Sequence, residues 1–118
     1  MGRALGEFEQ LVLFALLDLE DDAYGAAVGR RIEQRTGREV SAGAVYTALE
    51  RLESRGLVTS REGEPTPERG GRRRKYYAVE PLGAEELYRS VDVIRAMSEG
   101  LMGRLEDLAG EPGGGLAR

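Results

Sequence analysis

The chain has 118 residues, of which 41% are apolar and 32% charged, enough for one domain with a modest core and one appended element. It contains no cysteine and no histidine. That excludes disulfides and thiolate metal sites and removes the commonest general base, so neither an enzyme nor a cofactor is expected. The net charge of −4 is unevenly spread: residues 1–40 carry 5 basic and 8 acidic side chains, residues 41–79 carry 8 and 5, and residues 80–118 carry 4 and 8. Local field rather than total charge decides where a polyanion docks, and only the central segment is positive.

Phe8, Leu11, Val12, Ala15, Leu16 and Leu19 recur at helical spacing and predict a first helix. Leu13, Phe14 and Leu17 lie off that face and are also apolar, so this helix needs cover on two sides, from its own domain and from a second layer. The apolar run 11–17 is too short to span a bilayer, which takes ~20 residues. No leader pattern opens the chain, and a cytoplasmic protein without membrane contact is expected. The acidic run 18–22 reads as a solvated loop. A second helix is expected over 24–36, with Val28 and Ile32 inward and Gly37 as its stop. Arg30, Arg31, Arg35 and Arg38 crowd this helix and its exit; position alone does not separate solvated charges from phosphate contacts.

Residues 41–79 organise the chain. Ser41 is a natural N-cap for a third helix over 41–55, with Val45, Leu49 and Leu52 facing the core and Gly56 as the stop. Ala42 and Gly43 let a surface approach the first turn closely, where unpaired N–H groups favour phosphate. Tyr46 and Thr47 can donate to phosphate or base edges, and Arg51 either joins them or pairs with Glu50 or Glu53. A strand over 57–62 follows, then a loop over 63–71 punctuated by Pro65, Pro67, Gly70 and Gly71, then a basic strand over 72–79. On that strand Arg74, Tyr76 and Ala78 share one face and Lys75, Tyr77 and Val79 the other, so one tyrosine packs inward. Arg72, Arg73, Arg74 and Lys75 repel one another unless an anion lies against them; a solubilising charge run is the plainer alternative. A helix followed by a basic hairpin is the layout of a winged helix-turn-helix, which places the helix in the major groove of double-stranded DNA and the hairpin on the neighbouring backbone. A protein-contact module of the same shape, with the wing on an acidic partner, is the rival reading.

Pro81 suits the first turn of a final helix. Ala84, Leu87, Val91, Ile94, Ser98, Leu101, Leu105 and Leu108 are spaced 3, 4, 3, 4, 3, 4, 3, a helix seam broken only by Ser98. Gly100 and Gly103 allow a close crossing or a bend. The seam and the doubly apolar first helix together predict a homodimer through Leu13, Phe14, Leu17, Leu87, Val91, Ile94, Leu101, Leu105 and Leu108. Phe14, Met97 and Met102 are candidates for an interface pocket, with core packing the simpler role. The expected organisation is a mainly α fold with a small β-hairpin: a winged helix-turn-helix over 1–80, a long dimerisation helix over 81–109 and a disordered tail over 110–118.

The stretch SAGAVYTALERLESRGLV at 41–58 resembles the PadR family of bacterial transcription regulators. Tyr24-Gly25 resembles the family's site at the start of its second helix. Ser41, Gly43, Tyr46, Leu49, Arg51, Leu52, Glu53, Gly56, Leu57 and Val58 resemble its central motif, Gly71-Arg72 and Arg74–Tyr77 its wing, and Pro81 and Gly83 the opening of its last helix. The resemblance implies a homodimeric winged-helix repressor in which the C-terminal helix packs on the partner's first helix, and the short C-terminal region resembles the family's compact branch. Thr47 stands where many members have proline. The chain has no tryptophan, whereas a compact member that sandwiches flat drugs between subunits uses a tryptophan pair. The resemblance implies a small hydrophobic effector of unspecified identity. On these grounds the DNA-binding residues expected are Ser41, Ala42, Gly43, Tyr46, Thr47 and Arg51 from the helix, with Arg72, Arg73, Arg74 and Lys75 from the wing.

Overall fold

A computed structural model describes residues 4–65, 67, 70–71 and 73–110. Its first helix, α1 (Glu7–Leu19), is the hub. The carboxylate of Glu9 accepts the Gly6 N–H at 3.0 Å, which satisfies one unpaired donor of the helix start and explains a buried acid on an apolar face. Val12, Leu13, Ala15 and Leu16 are all buried. A single 3₁₀ turn at Glu20–Asp22 leads to α2 (Gly25–Thr36), which ends as expected at Gly37 with a left-handed φ of 76°. The third helix, α3 (Ala42–Ser54), starts from Ser41, whose hydroxyl accepts the Ala44 N–H at 3.1 Å. Gly56 (φ 77°) and the Leu57 N–H bonded to the Leu52 carbonyl at 2.9 Å close it. Val45, Leu49 and Leu52 face the core as their spacing predicts, together with Ala48.

The wing is an antiparallel pair, β1 (Val58–Pro65) and β2 (Arg73–Val79). The first strand runs three residues beyond its expected end. A register shift between Glu62 and Pro65 re-pairs Pro65 with Arg73, so three residues expected in the loop join the sheet. Tyr24 forms a bridge to Tyr76, and the Tyr77 N–H bonds the Ala23 carbonyl at 2.9 Å, so the chain entering α2 serves as a third, minimal strand. Tyr77 is the inward tyrosine and Tyr76 lies on the outer face, the alternation the sequence predicts.

The sharpest difference from expectation is at the C-terminus. In place of one helix to residue 109 there are two, α4 (Pro81–Ser98) and α5 (Met102–Ala109). Glu99 turns extended and Gly100 takes φ 79°, a left-handed conformation that glycine adopts without steric cost, so the chain bends there. At its start α4 is welded to the domain: the Glu80 N–H bonds the Leu57 carbonyl at 2.9 Å, and Gly83 sits against that same carbonyl. Farther along, α4 and α5 stand off the domain, and the radius of gyration is 16.5 Å against about 13.5 Å for a compact chain of this length. The tail expected over 110–118 lies, apart from Gly110, outside the described residues. Among those described, no helix is long and apolar enough to cross a membrane, and no acidic cluster is arranged to hold a metal.

Candidate nucleic-acid interface

The start of α3 is bare. Ser41, Ala42, Gly43, Ala44 and Thr47 are all exposed, and a Cβ added at Gly43 would meet nothing within 4 Å. Ser41 caps the Ala44 N–H, and the Ala42 and Gly43 N–H groups lie on this exposed turn with no side-chain acceptor among the described residues. Tyr46 is 48% exposed and its ring rests on Gly25, where an added Cβ would lie 3.0 Å from the ring carbon Cζ. The Tyr24-Gly25 pair thus has a packing reason: only glycine at the start of α2 lets the Tyr46 ring lie there. Arg51 is exposed, and among the described residues no carboxylate comes within ion-pair distance of it. The alternative pairing with Glu50 or Glu53 is not adopted; Glu53 instead accepts the Ser60 hydroxyl at 2.7 Å.

The structure treats the wing cations differently from one another. Arg73 is exposed at the tip end, donates to the Gly63 carbonyl at 3.2 Å and has Glu62 at 4.0 Å. Lys75 is exposed, with its ammonium 5.9 Å from the Tyr77 ring centre. Arg74 is not a tip residue: it folds back with its guanidinium carbon 4.1 Å above the Tyr24 ring, and its Nε is buried without an acceptor among the described residues. Arg72 lies outside the described residues. Beneath the wing, burial and then the negative charge of Glu53 push the Tyr77 hydroxyl above its usual range and keep it neutral.

The α2 arginines also separate. Asp18 accepts from Arg31 at 2.6 Å and Arg35 at 3.1 Å, and these bonds, Arg31 first, hold its carboxyl below the usual range. Arg38 pairs with Glu7 at 3.2 Å. Arg30 has no carboxylate within ion-pair distance among the described residues and donates instead to the Tyr24 hydroxyl at 2.9 Å. Sequence reading left these four undecided and missed Arg30, Arg61, Tyr24 and Tyr76 as a group, because only the sheet register brings them together.

The expected dimer residues divide as well. Phe14, Leu17, Ile94, Leu101, Leu105 and Leu108 are exposed. Leu13 and Leu87 are not available for a partner: both are buried within their own subunit, because α1 lies at the centre of the domain and the first turns of α4 pack against it. Val91 is half-buried against the same core. Phe14, Met97 and Met102, for which core packing was the simpler expectation, are exposed because α4 and α5 leave the domain surface.

Three helices, a basic two-stranded wing and an open first turn on the third helix define a winged helix-turn-helix transcription regulator. Residues 13–89 match the model of the transcriptional regulator PadR-like family, and the chain belongs to that family, whose members are regulators rather than enzymes. Similar solved structures include a PadR family transcriptional regulator from Eggerthella lenta, 29% identical, with a TM-score of 0.65, over 85% of this chain and 87% of that one. Another is a transcriptional regulator from Clostridium thermocellum, 25% identical, with a TM-score of 0.65, over 77% of this chain and 85% of that one. A curated relative, an uncharacterized 37.1 kDa protein in transposon TN4556 of Streptomyces fradiae, is 34% identical over 90 residues. The match covers 76% of this chain and 24% of that protein, so the chain spans about a quarter of the relative's length.

Proposed function

We propose that the protein is a homodimeric, ligand-responsive, cytoplasmic repressor that binds a palindromic operator in double-stranded DNA. The observation that carries this is the bare first turn of α3 beside a basic wing: Ser41, Ala42, Gly43, Tyr46, Thr47 and Arg51 offer donors and small side chains to a groove, and Arg73, Arg74 and Lys75, with Arg72, offer cations to the flanking phosphates. The exposed apolar residues of α4 and α5 support dimerisation, since so many large apolar side chains on one projecting arm call for a partner surface. A hollow of about 520 Å³ lined by Leu11, Phe14, Leu17 and Ile32, with Asp18, Arg31, Arg35 and Thr36 also on its wall, supports a small, largely hydrophobic effector beside the exposed Phe14 and Leu17. Repression then needs only occupancy of the operator.

Selection from randomised duplex DNA at low and near-physiological salt tests the reading. Enrichment at both salts of a twofold-symmetric motif, its half-sites about 34–36 Å apart or a multiple of that, is expected. Binding at low salt without any motif would reduce the protein to a non-specific binder and remove the operator from the proposal.

A further inference from the structure

Seven of the described arginines divide into two groups. Arg31, Arg35, Arg38 and Arg55 each lie against a carboxylate, at 2.6, 3.1, 3.2 and 3.0 Å. Arg30, Arg61 and Arg74 have none within ion-pair distance among the described residues; tyrosine rings and neutral oxygens hold them instead. Arg74 stacks 4.1 Å over Tyr24, and Arg61 stacks 4.6 Å over Tyr76 while donating to the Asp21 carbonyl at 3.4 Å. Arg30 lies 5.8 Å from the Tyr24 ring centre and donates to that residue's hydroxyl. A carboxylate partner cancels a guanidinium's charge, whereas an aromatic face fixes its position and leaves the charge in place.

The sheet register builds this arrangement. Tyr24 bridges Tyr76, and Tyr76 is paired with Arg61, so the three lie in one row across the outer face, with Arg74 two residues along from Tyr76. The two rings meet edge to face at 5.7 Å. Gly63, two residues along from Arg61, makes room: a Cβ there would lie 2.5 Å from the Tyr76 ring. The row continues into the reading helix, because the residue after Tyr24 is Gly25, on which the Tyr46 ring rests.

We propose that Arg30, Arg61 and Arg74, held by Tyr24 and Tyr76, form a preorganised seat for the DNA sugar-phosphate backbone next to the groove that α3 enters. The proposal rests on the DNA-binding reading above and adds to it two arginines, Arg30 and Arg61, as phosphate contacts and two tyrosines as positioning residues. Cations fixed before binding lose little side-chain freedom on meeting phosphate, and their contact is independent of base sequence.

The test is fluorescence anisotropy of the full chain with a selected operator and with an unrelated duplex, across a salt series. Arg30→Gln and Arg61→Gln are each expected to flatten the slope of log K against log salt by about 0.9, equally on both duplexes, since one phosphate contact is lost. Tyr76→Leu leaves the net charge unchanged and is expected to weaken both complexes several-fold, while Tyr76→Phe, which keeps the ring, restores wild-type binding. A merely structural tyrosine would alter melting without this Phe-specific rescue of affinity. Unchanged slopes for both arginine variants, in a protein that binds its operator, would overturn the seat and leave the regulator reading intact. Absence of duplex binding by the wild-type chain at every salt would sink both.

Discussion

Gly83 is the position at which one methyl group should do most damage. An ideal Cβ built there lies 2.1 Å from the Leu57 carbonyl oxygen, 3.0 Å from its carbon and 3.2 Å from a Val79 methyl. Two of the three obstacles are backbone and cannot rotate away, so Gly83→Ala must push α4 outward by roughly 1 Å, an overpacking strain of about 1–3 kcal/mol. The same movement stretches the bond from the Glu80 N–H to that carbonyl, worth about 1 kcal/mol. Alanine returns about 1 kcal/mol of helix propensity, because Gly83 lies in the first turn of α4 with no special φ. The net loss is about 2 kcal/mol, which for a domain of this size lowers Tm by about 10 °C. Circular dichroism melting at one fixed protein concentration measures it, since association would otherwise move Tm. A melting temperature equal to or above that of the wild type would refute the reasoning and mean that α4 is not seated on Leu57 as described.

Gly43→Ala is the counterpart: nothing in the protein meets the new methyl, so melting should hold or rise by the ~1 kcal/mol difference in helix propensity while operator affinity falls at least tenfold; unchanged affinity would place the first turn of α3 away from DNA. Ile94→Glu or Leu105→Glu, both at exposed sites, should keep the helical spectrum yet weaken self-association more than about a hundredfold by burying an unpaired charge, and sedimentation that still gives a dimer would remove the α4–α5 arm from the interface. The Asp18 carboxyl is depressed below its ordinary 3.8 by Arg31 and Arg35, so the stability it contributes is present above that value and is lost as pH falls through the lower, folded one. Asp18→Asn should therefore melt below the wild type at neutral pH, and the gap should close as pH falls below the ordinary 3.8; a gap independent of pH would rule out the ion pair as its source.

Two kinds of glycine explain what could and could not be read from the sequence. Gly37, Gly56 and Gly100 all have left-handed φ and punctuate the chain locally, and such signals are visible in a sequence because the residue acts on its own backbone. Gly25, Gly63 and Gly83 have ordinary backbone angles and are small for the sake of another element: the Tyr46 ring, the Tyr76 ring and the Leu57 carbonyl. Their reason exists only after folding. The arginines show the same division. The run from Arg72 to Lys75 is conspicuous as a run, but Arg30 and Arg31 are neighbours of identical type, and the helix carries one to a tyrosine and the other to Asp18. The 3.5-residue seam marked an apolar arm correctly, yet spacing alone did not register that the turn at Gly100 divides it, or that Leu13 and Leu87 are used up inside the subunit.

The same contacts bear on how a signal at the α4 arm would reach the reading helix. The end of α3 and the start of α4 are joined three ways: Arg55 pairs with Glu86 at 3.0 Å with both side chains largely shielded, the Glu80 N–H holds the Leu57 carbonyl, and Gly83 lies flush on that carbonyl. Leu52 and Leu57 are fully buried on either side of the Gly56 turn, so little play remains between the helices. A joint this tight transmits rotation rather than absorbing it. In the proposed dimer, anything that changes the angle between the two arms would turn each α3 about the Leu57 junction and alter the separation of the two α3 helices. The proposed effector, seated near Phe14 and Leu17, would therefore have no need to touch the DNA-facing side: it would have only to favour one arm angle over another, and its regulatory strength would equal the difference in its affinity for the two.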